Sequence, residues 1–122
     1  MSINVEDAVR TFMSACGQGA DTTRQNIALR FRLMDEEHDE VVEAINWGDR
    51  VQIAKELCDL VYVAIGTAVA FDIPFNECFA ALQTSNMTKV AEDGTVVLRD
   101  DGKVLKGNGF KPAEDMIKDI LG

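Results

Sequence analysis

Apolar residues recur along most of this chain with the period of a helix. Ala8, Val9, Phe12 and Met13 predict a first helix over about Val5–Cys16, and "GQGAD" breaks it. A second helix starts near Asp21 or Thr22, both suited to cap an N-terminus, and runs to about Trp47. Gly48 ends it, at a position where a left-handed residue costs little. Asp49 caps a third helix, about Arg50–Phe71. "DIPF" turns the chain, and Asn76 or a neighbour opens a fourth helix to about Val90. The pattern then changes. Between Glu92 and Gly107, two Asp-Gly pairs stand around β-branched runs, and "TVVLR" and "KVLK" joined by "DDG" predict a short hairpin. Pro112 starts a last helix, about Ala113–Leu121. The expected fold is all-α: one domain over residues 1–122, a helical bundle with a short C-terminal β-hairpin.

Two places break the helical pattern. "LMDEEHDEVVEAI", Leu33–Ile45, holds six acids in nine positions. At about 100° per residue, Asp35, Asp39 and Glu43 gather on a polar face, with Glu36 at its edge. Glu37 and Glu40 fall instead in the apolar arc of Ile27, Leu29, Phe31, Leu33, Val41 and Ala44, which Met34 and Ile45 extend. They stand three residues apart and point the same way. The third helix repeats the pattern with Glu56 and Asp59, set among Ile53, Leu57, Leu60 and Val61. From Leu60 onward it is apolar all round, which predicts a central helix.

A short turn at Gly48–Asp49 makes the second and third helices antiparallel neighbours. Glu40 and Glu56 are equally far from that turn, and so are Glu37 and Asp59. One such acid pair fits a solvated or salt-bridged face. Two pairs, level across one interface, put four carboxylates round one point. Burying them unpartnered would cost several kcal/mol each, or would raise their pKa until they neutralised. Arg or Lys would relieve this, as would a divalent cation, and all-oxygen ligation suits Mg²⁺ or Mn²⁺.

Formal net charge is −9, which argues against a nucleic-acid surface. The longest near-continuous apolar run, Leu60–Phe71, is too short for a membrane span, and the N-terminus lacks the pattern of a signal peptide. Cys16, Cys58 and Cys78 are widely spaced and odd in number, so three buried thiols in a reducing compartment are expected. A soluble, cytoplasmic protein with neither nucleic acid nor membrane as partner is the expectation.

"EEHDE" followed by "ELCD" resembles the EExxE…ExxD signature of the all-α nucleoside triphosphate pyrophosphohydrolases. That MazG-like superfamily includes dimeric dUTPases and phosphoribosyl-ATP pyrophosphohydrolases. "SNMTKV…DGKVLKG" is similar to the tail of its short MazG-like members, and the likeness runs from about Ala28 to Lys111. It implies hydrolysis of a (d)NTP to the monophosphate and pyrophosphate, as nucleotide-pool house-cleaning. It implies Mg²⁺ ligands at Glu37, Glu40, Glu56 and Asp59, with Glu36 as a further ligand or a base that orients water. Asn86 and Lys89 of "NMTK" are implied to face the nucleotide, with Lys89 on a phosphate. It also implies four-helix units assembled into a homodimer or homotetramer.

Other residues have two readings. Lys106, and less so Lys103, would close over phosphates or merely keep an edge strand soluble. Arg30 falls in the apolar arc near Glu37, where it would contact phosphate or neutralise the acids. Trp47 would stack on a base or pack in a core or interface. His38 is not needed by an all-carboxylate site. "KGNGF" lacks the context of a phosphate loop. Phosphoribosyl-ATP is a second substrate candidate, set behind (d)NTPs by the tail. The competing class is a non-enzymatic oligomeric scaffold with structural cation sites.

Overall fold

The computed structural model describes residues 2–122. Its elements are α1 (Val5–Ala15), α2 (Arg24–Trp47), α3 (Arg50–Ala70), α4 (Phe75–Met87), β1 (Val97–Leu98), β2 (Val104–Leu105) and α5 (Ala113–Leu121). This is the all-α architecture with a short hairpin that the pattern predicts.

The caps explain the boundaries. Asn4 Oδ1 accepts from the Asp7 amide at 3.1 Å and starts α1. Thr23, rather than Asp21 or Thr22, caps α2 by accepting from the Asn26 amide. Asp21 is used otherwise: its carboxylate accepts from the Thr23 amide at 3.0 Å, and its own amide donates to the Ala70 carbonyl at 2.9 Å. Gly48 ends α2 at φ 79°, the left-handed region that favours glycine. Asp49 then caps α3 through the Val51 and Gln52 amides.

The chain divides into two compact units, Met1–Phe75 and Asn76–Gly122, each described by itself. In the first, Val9, Met13, Ile65 and Val69 form the core, with Phe75 packed against it. Glu6 is buried beside this core, where Oε1 accepts from the Phe75 amide at 2.9 Å and from Arg10 at 3.1 Å.

In the second unit, α4 stops at Met87, short of the expected Val90. Thr88, Lys89 and Val90 each donate to the carbonyl three residues back, closing tight turns. A strap stabilises that end: Ser85 Oγ donates to the Lys111 carbonyl at 2.6 Å, and the Lys111 amide donates to Thr88 Oγ1 at 2.9 Å. The hairpin pairs Val97 with Leu105 and Leu98 with Val104. Its strands are shorter than "TVVLR" and "KVLK", because Arg99 and Lys103 already belong to the turn. That turn has Gly102 at φ 93° and an Arg99–Asp101 ion pair at 2.6 Å.

Three burial expectations are corrected. Cys16 and Cys58 are exposed and Cys78 is half-buried. Phe31 and Ile45, placed in the apolar arc, are exposed, as is Phe12 of α1. The central helix α3 is buried at Ile65, Gly66, Val69 and Ala70 but leaves Val51, Leu57 and Val61 open. The reason is common to all three. An apolar arc says that a face favours burial, not which element covers it, and the single chain has too few helices in this unit to cover every face. Among the described residues, no single helix is long and apolar enough to cross a membrane.

Candidate active site

Helices α2 and α3 run back along each other from Gly48, and contacts across their seam recede from that turn in step. Glu40 meets Glu56, Glu37 and Asp59 stand one turn further out, and Arg30 reaches Val63 and Thr67 beyond them. Glu37, Glu40, Glu56 and Asp59 each bring a carboxylate oxygen to within 4.8 Å of the others. This cluster was legible from residue counts, since each i, i+3 pair shares one helix face.

The four acids differ in burial. Glu56 is 4% exposed, Glu37 and Asp59 are half-buried, and Glu40 is exposed at the rim although its helix position predicts a place in the apolar arc. Glu37 Oε2 and Glu56 Oε2 are sealed from solvent without a hydrogen-bond partner among the described residues. Such an oxygen costs about 1–3 kcal/mol or more when charged, unless a ligand meets it. A hydrogen bond to Glu56, with the negative charges of Glu37 and Glu56, pushes the Glu40 carboxyl up to about 7.

Two partners were missed in the sequence. Lys55 Nζ lies 2.6 Å from Asp59 Oδ2 and 3.4 Å from Glu56 Oε1. The bond to Asp59 and then that to Glu56 raise the lysine's pKa above its usual value. Gln52 Nε2 donates to Glu56 Oε1 at 2.6 Å. Both contacts include i, i+4 pairs on α3, a signal that counting could have found.

Arg30 is buried but does not neutralise the acids. Nε donates to Thr67 Oγ1 at 3.1 Å and Nη2 to the Val63 carbonyl at 2.8 Å, and it makes no ion pair among the described residues. Its burial lowers the guanidinium pKa. The physical reason is distance: seven residues on α2 place Arg30 about 10 Å along the axis from Glu37. Lys55 meets the acids instead.

Glu36 is exposed and lies outside the group of four. Trp47 is 82% exposed, so it is not packed into the chain's own core. It borders a concavity of about 530 Å³ with Glu40, Ala44, Asp49, Lys55 and Glu56. His38 is exposed beside Asp39, outside the cluster. In the second unit, Lys89 and Lys106 lie 6.0 and 5.0 Å from the centre of the Phe110 ring, which brings these two candidates together. Asn86 is exposed in α4, and its carbonyl accepts from the Lys89 amide at 3.0 Å.

Four carboxylates, two of them with an unpartnered buried oxygen, form a group that could hold a metal ion. The family model for phosphoribosyl-ATP pyrophosphohydrolase matches residues 15–86, which take in α2, α3 and all four acids. The chain belongs to the phosphoribosyl-ATP pyrophosphohydrolase family. Among curated proteins, none matches it significantly. The family lies within the MazG-like pyrophosphohydrolase superfamily, in agreement with the resemblance of "EEHDE" and "ELCD". Membership carries the coarse activity, that of a pyrophosphohydrolase acting on a nucleotide. The match to the pyrophosphohydrolase family ends at Asn86, before Lys89 and Lys106.

Proposed function

We propose that this chain hydrolyses (d)NTPs to the monophosphate and pyrophosphate with Mg²⁺, or Mn²⁺ in its place, as a house-cleaning activity on the nucleotide pool. One observation carries the reading: four carboxylates converge within 4.8 Å, and two of them carry a buried oxygen with no partner among the described residues. Oxygen-only donors of net negative charge suit a hard divalent cation.

Glu37, Glu40, Glu56 and Asp59 would hold the ion. When bound, it offsets phosphate charge and supplies a Lewis acid to the attacking water. Gln52 keeps Glu56 in place by donating to Oε1, which leaves Oε2 for the ion. Lys55 shares the negative charge of Asp59 and Glu56. Glu36 is next to Glu37 and exposed, and in this reading it takes the proton as the water oxygen bonds to the α-phosphorus and the bond from that phosphorus to the α–β bridging oxygen breaks, releasing pyrophosphate. Lys89 and Lys106, as a pair of ammonium groups, suit a phosphate. Trp47 offers its rim an apolar contact for substrate or for a second copy of the chain. A homodimer or homotetramer would also cover Val51, Leu57 and Val61.

The family match favours a second substrate, phosphoribosyl-ATP, which has the same anhydride. The test is pyrophosphate release from a panel of (d)NTPs and phosphoribosyl-ATP, with Mg²⁺ and with EDTA. Metal-dependent release from (d)NTPs supports the reading, and release from phosphoribosyl-ATP alone replaces the substrate. Silence across the panel, with Mg²⁺ still raising Tm, would return the protein to a cation-binding scaffold.

A further inference from the structure

The first unit holds another cavity, about 470 Å³, walled by α2, α3, α1 and the loop that follows α1. Arg30 forms part of that wall and is only 7% exposed. Its guanidinium is fixed by Thr67 Oγ1 and the Val63 carbonyl. Gly66 makes room for it, since a Cβ there would lie 2.5 Å from Nη2. These bonds use one edge of the guanidinium. The other edge, Nη1 with the second Nη2 hydrogen, has no partner among the described residues, and Nη1 is not sealed off. A rigid, charged, two-donor edge at a cavity wall fits a ligand with two adjacent acceptors.

The remaining walls choose between such ligands. Phe12 and Tyr62, with ring centroids 5.8 Å apart, line the cavity together with Leu29 and Leu33. Asp21 also lines it, and no lysine does. One arginine set against one aspartate makes a poor phosphate site. A mixed wall of aromatic, aliphatic and amide side chains, with Gln18 and Asn26 beside the one fork and one carboxylate, suits a base. Arg30 lies about two helical turns from Glu37, roughly 10 Å, further than a triphosphate anchored on the carboxylates extends. The opposite end of a nucleotide is what lies at that distance.

We infer that this cavity takes the base of the nucleotide, and that Arg30 selects a 6-oxopurine, guanine above all, by donating to O6 and N7. Asp21 offers an acceptor for guanine's N1–H and amino group. Adenine presents an amino donor where Arg30 needs an acceptor, so it is disfavoured. The inference rests on the pyrophosphohydrolase reading above and names the substrate class within it.

The test compares wild type with Arg30→Lys, which keeps the charge and loses the fork, and with Gly66→Ala, which displaces it. With Mg²⁺, the wild-type ratio of kcat/KM for dGTP over dATP should exceed unity by about ten- to hundredfold and collapse in both variants. A merely structural role would lower both substrates alike and leave the ratio unmoved, which would overturn the inference. Calorimetry with dGMP and dAMP, without metal, reads the cavity apart from turnover. Tighter dGMP binding that Arg30→Lys abolishes supports the site even if no triphosphate is hydrolysed, an outcome that would sink only the catalytic reading. Equal binding of the two monophosphates overturns the inference. Phosphoribosyl-ATP is the remaining arm. If Arg30→Lys impairs that substrate alone, the fork takes its second phosphate and the guanine assignment fails.

Discussion

Glu37 of α2 and Glu56 of α3 bring carboxylate oxygens to within 4.8 Å of each other, and each has its Oε2 buried and unpartnered among the described residues. Glu37→Gln and Glu56→Gln should each abolish most pyrophosphate release. The loss should exceed the roughly 10–100-fold typical of residues that only support a ligand. Without metal, neither variant should melt below wild type, because each removes like-charge repulsion. The rise in Tm that Mg²⁺ gives the wild type, and that EDTA reverses, should vanish in both. A variant that unfolds but keeps turnover per folded molecule would contradict this.

The pH dependence has a definite sign. Glu40 rises from an ordinary 4.5 to about 7, through its bond to Glu56 and the charges around it. A group with a raised folded pKa contributes stability that is fully present below about 4.5 and lost as pH climbs to about 7. Metal-free Tm should therefore fall across that window and level off above it. The stabilisation by Mg²⁺ should grow over the same range, since the ion competes with the proton. Thermal scans from pH 4 to 8 check this, and Glu40→Gln should flatten the slope.

Lys55 pairs with Asp59 and Glu56, where a bound cation would have to compete with it. Its side chain is 61% exposed, so Lys55→Met should leave Tm close to that of the wild type. Divalent-cation affinity, read by calorimetry, should rise several-fold. A loss of affinity would show that Lys55 aids the site by holding its carboxylates in place.

Glu6 is the opposite case, a buried acid with structural partners. Glu6→Ala leaves the Phe75 amide without its carboxylate acceptor and Arg10 without its ion pair. Destabilisation of about 1.5–3 kcal/mol is expected in urea unfolding. The Mg²⁺-dependent rise in Tm should persist at its wild-type size, because Glu6 lies outside the four-carboxylate cluster.

The acidic cluster was readable from the sequence, because helix periodicity and a short turn together fix which residues lie level on adjacent antiparallel helices. Glu37, Glu40, Glu56 and Asp59 needed only counting from Gly48. The helices and hairpin were readable for the same reason: caps, glycines and apolar spacing act locally. Burial was not. Cys58 and Phe31 lie on faces that read as apolar, yet the chain's own elements leave both exposed. Arg30 shows the difference most sharply. Its place in the apolar arc predicts that it avoids water, but only tertiary structure decides that it bonds to Val63 and Thr67, against Gly66, rather than to the acids. Periodicity gives a direction around one helix. A partner depends on how far along a second helix each side chain reaches, and that is settled only when the two are packed.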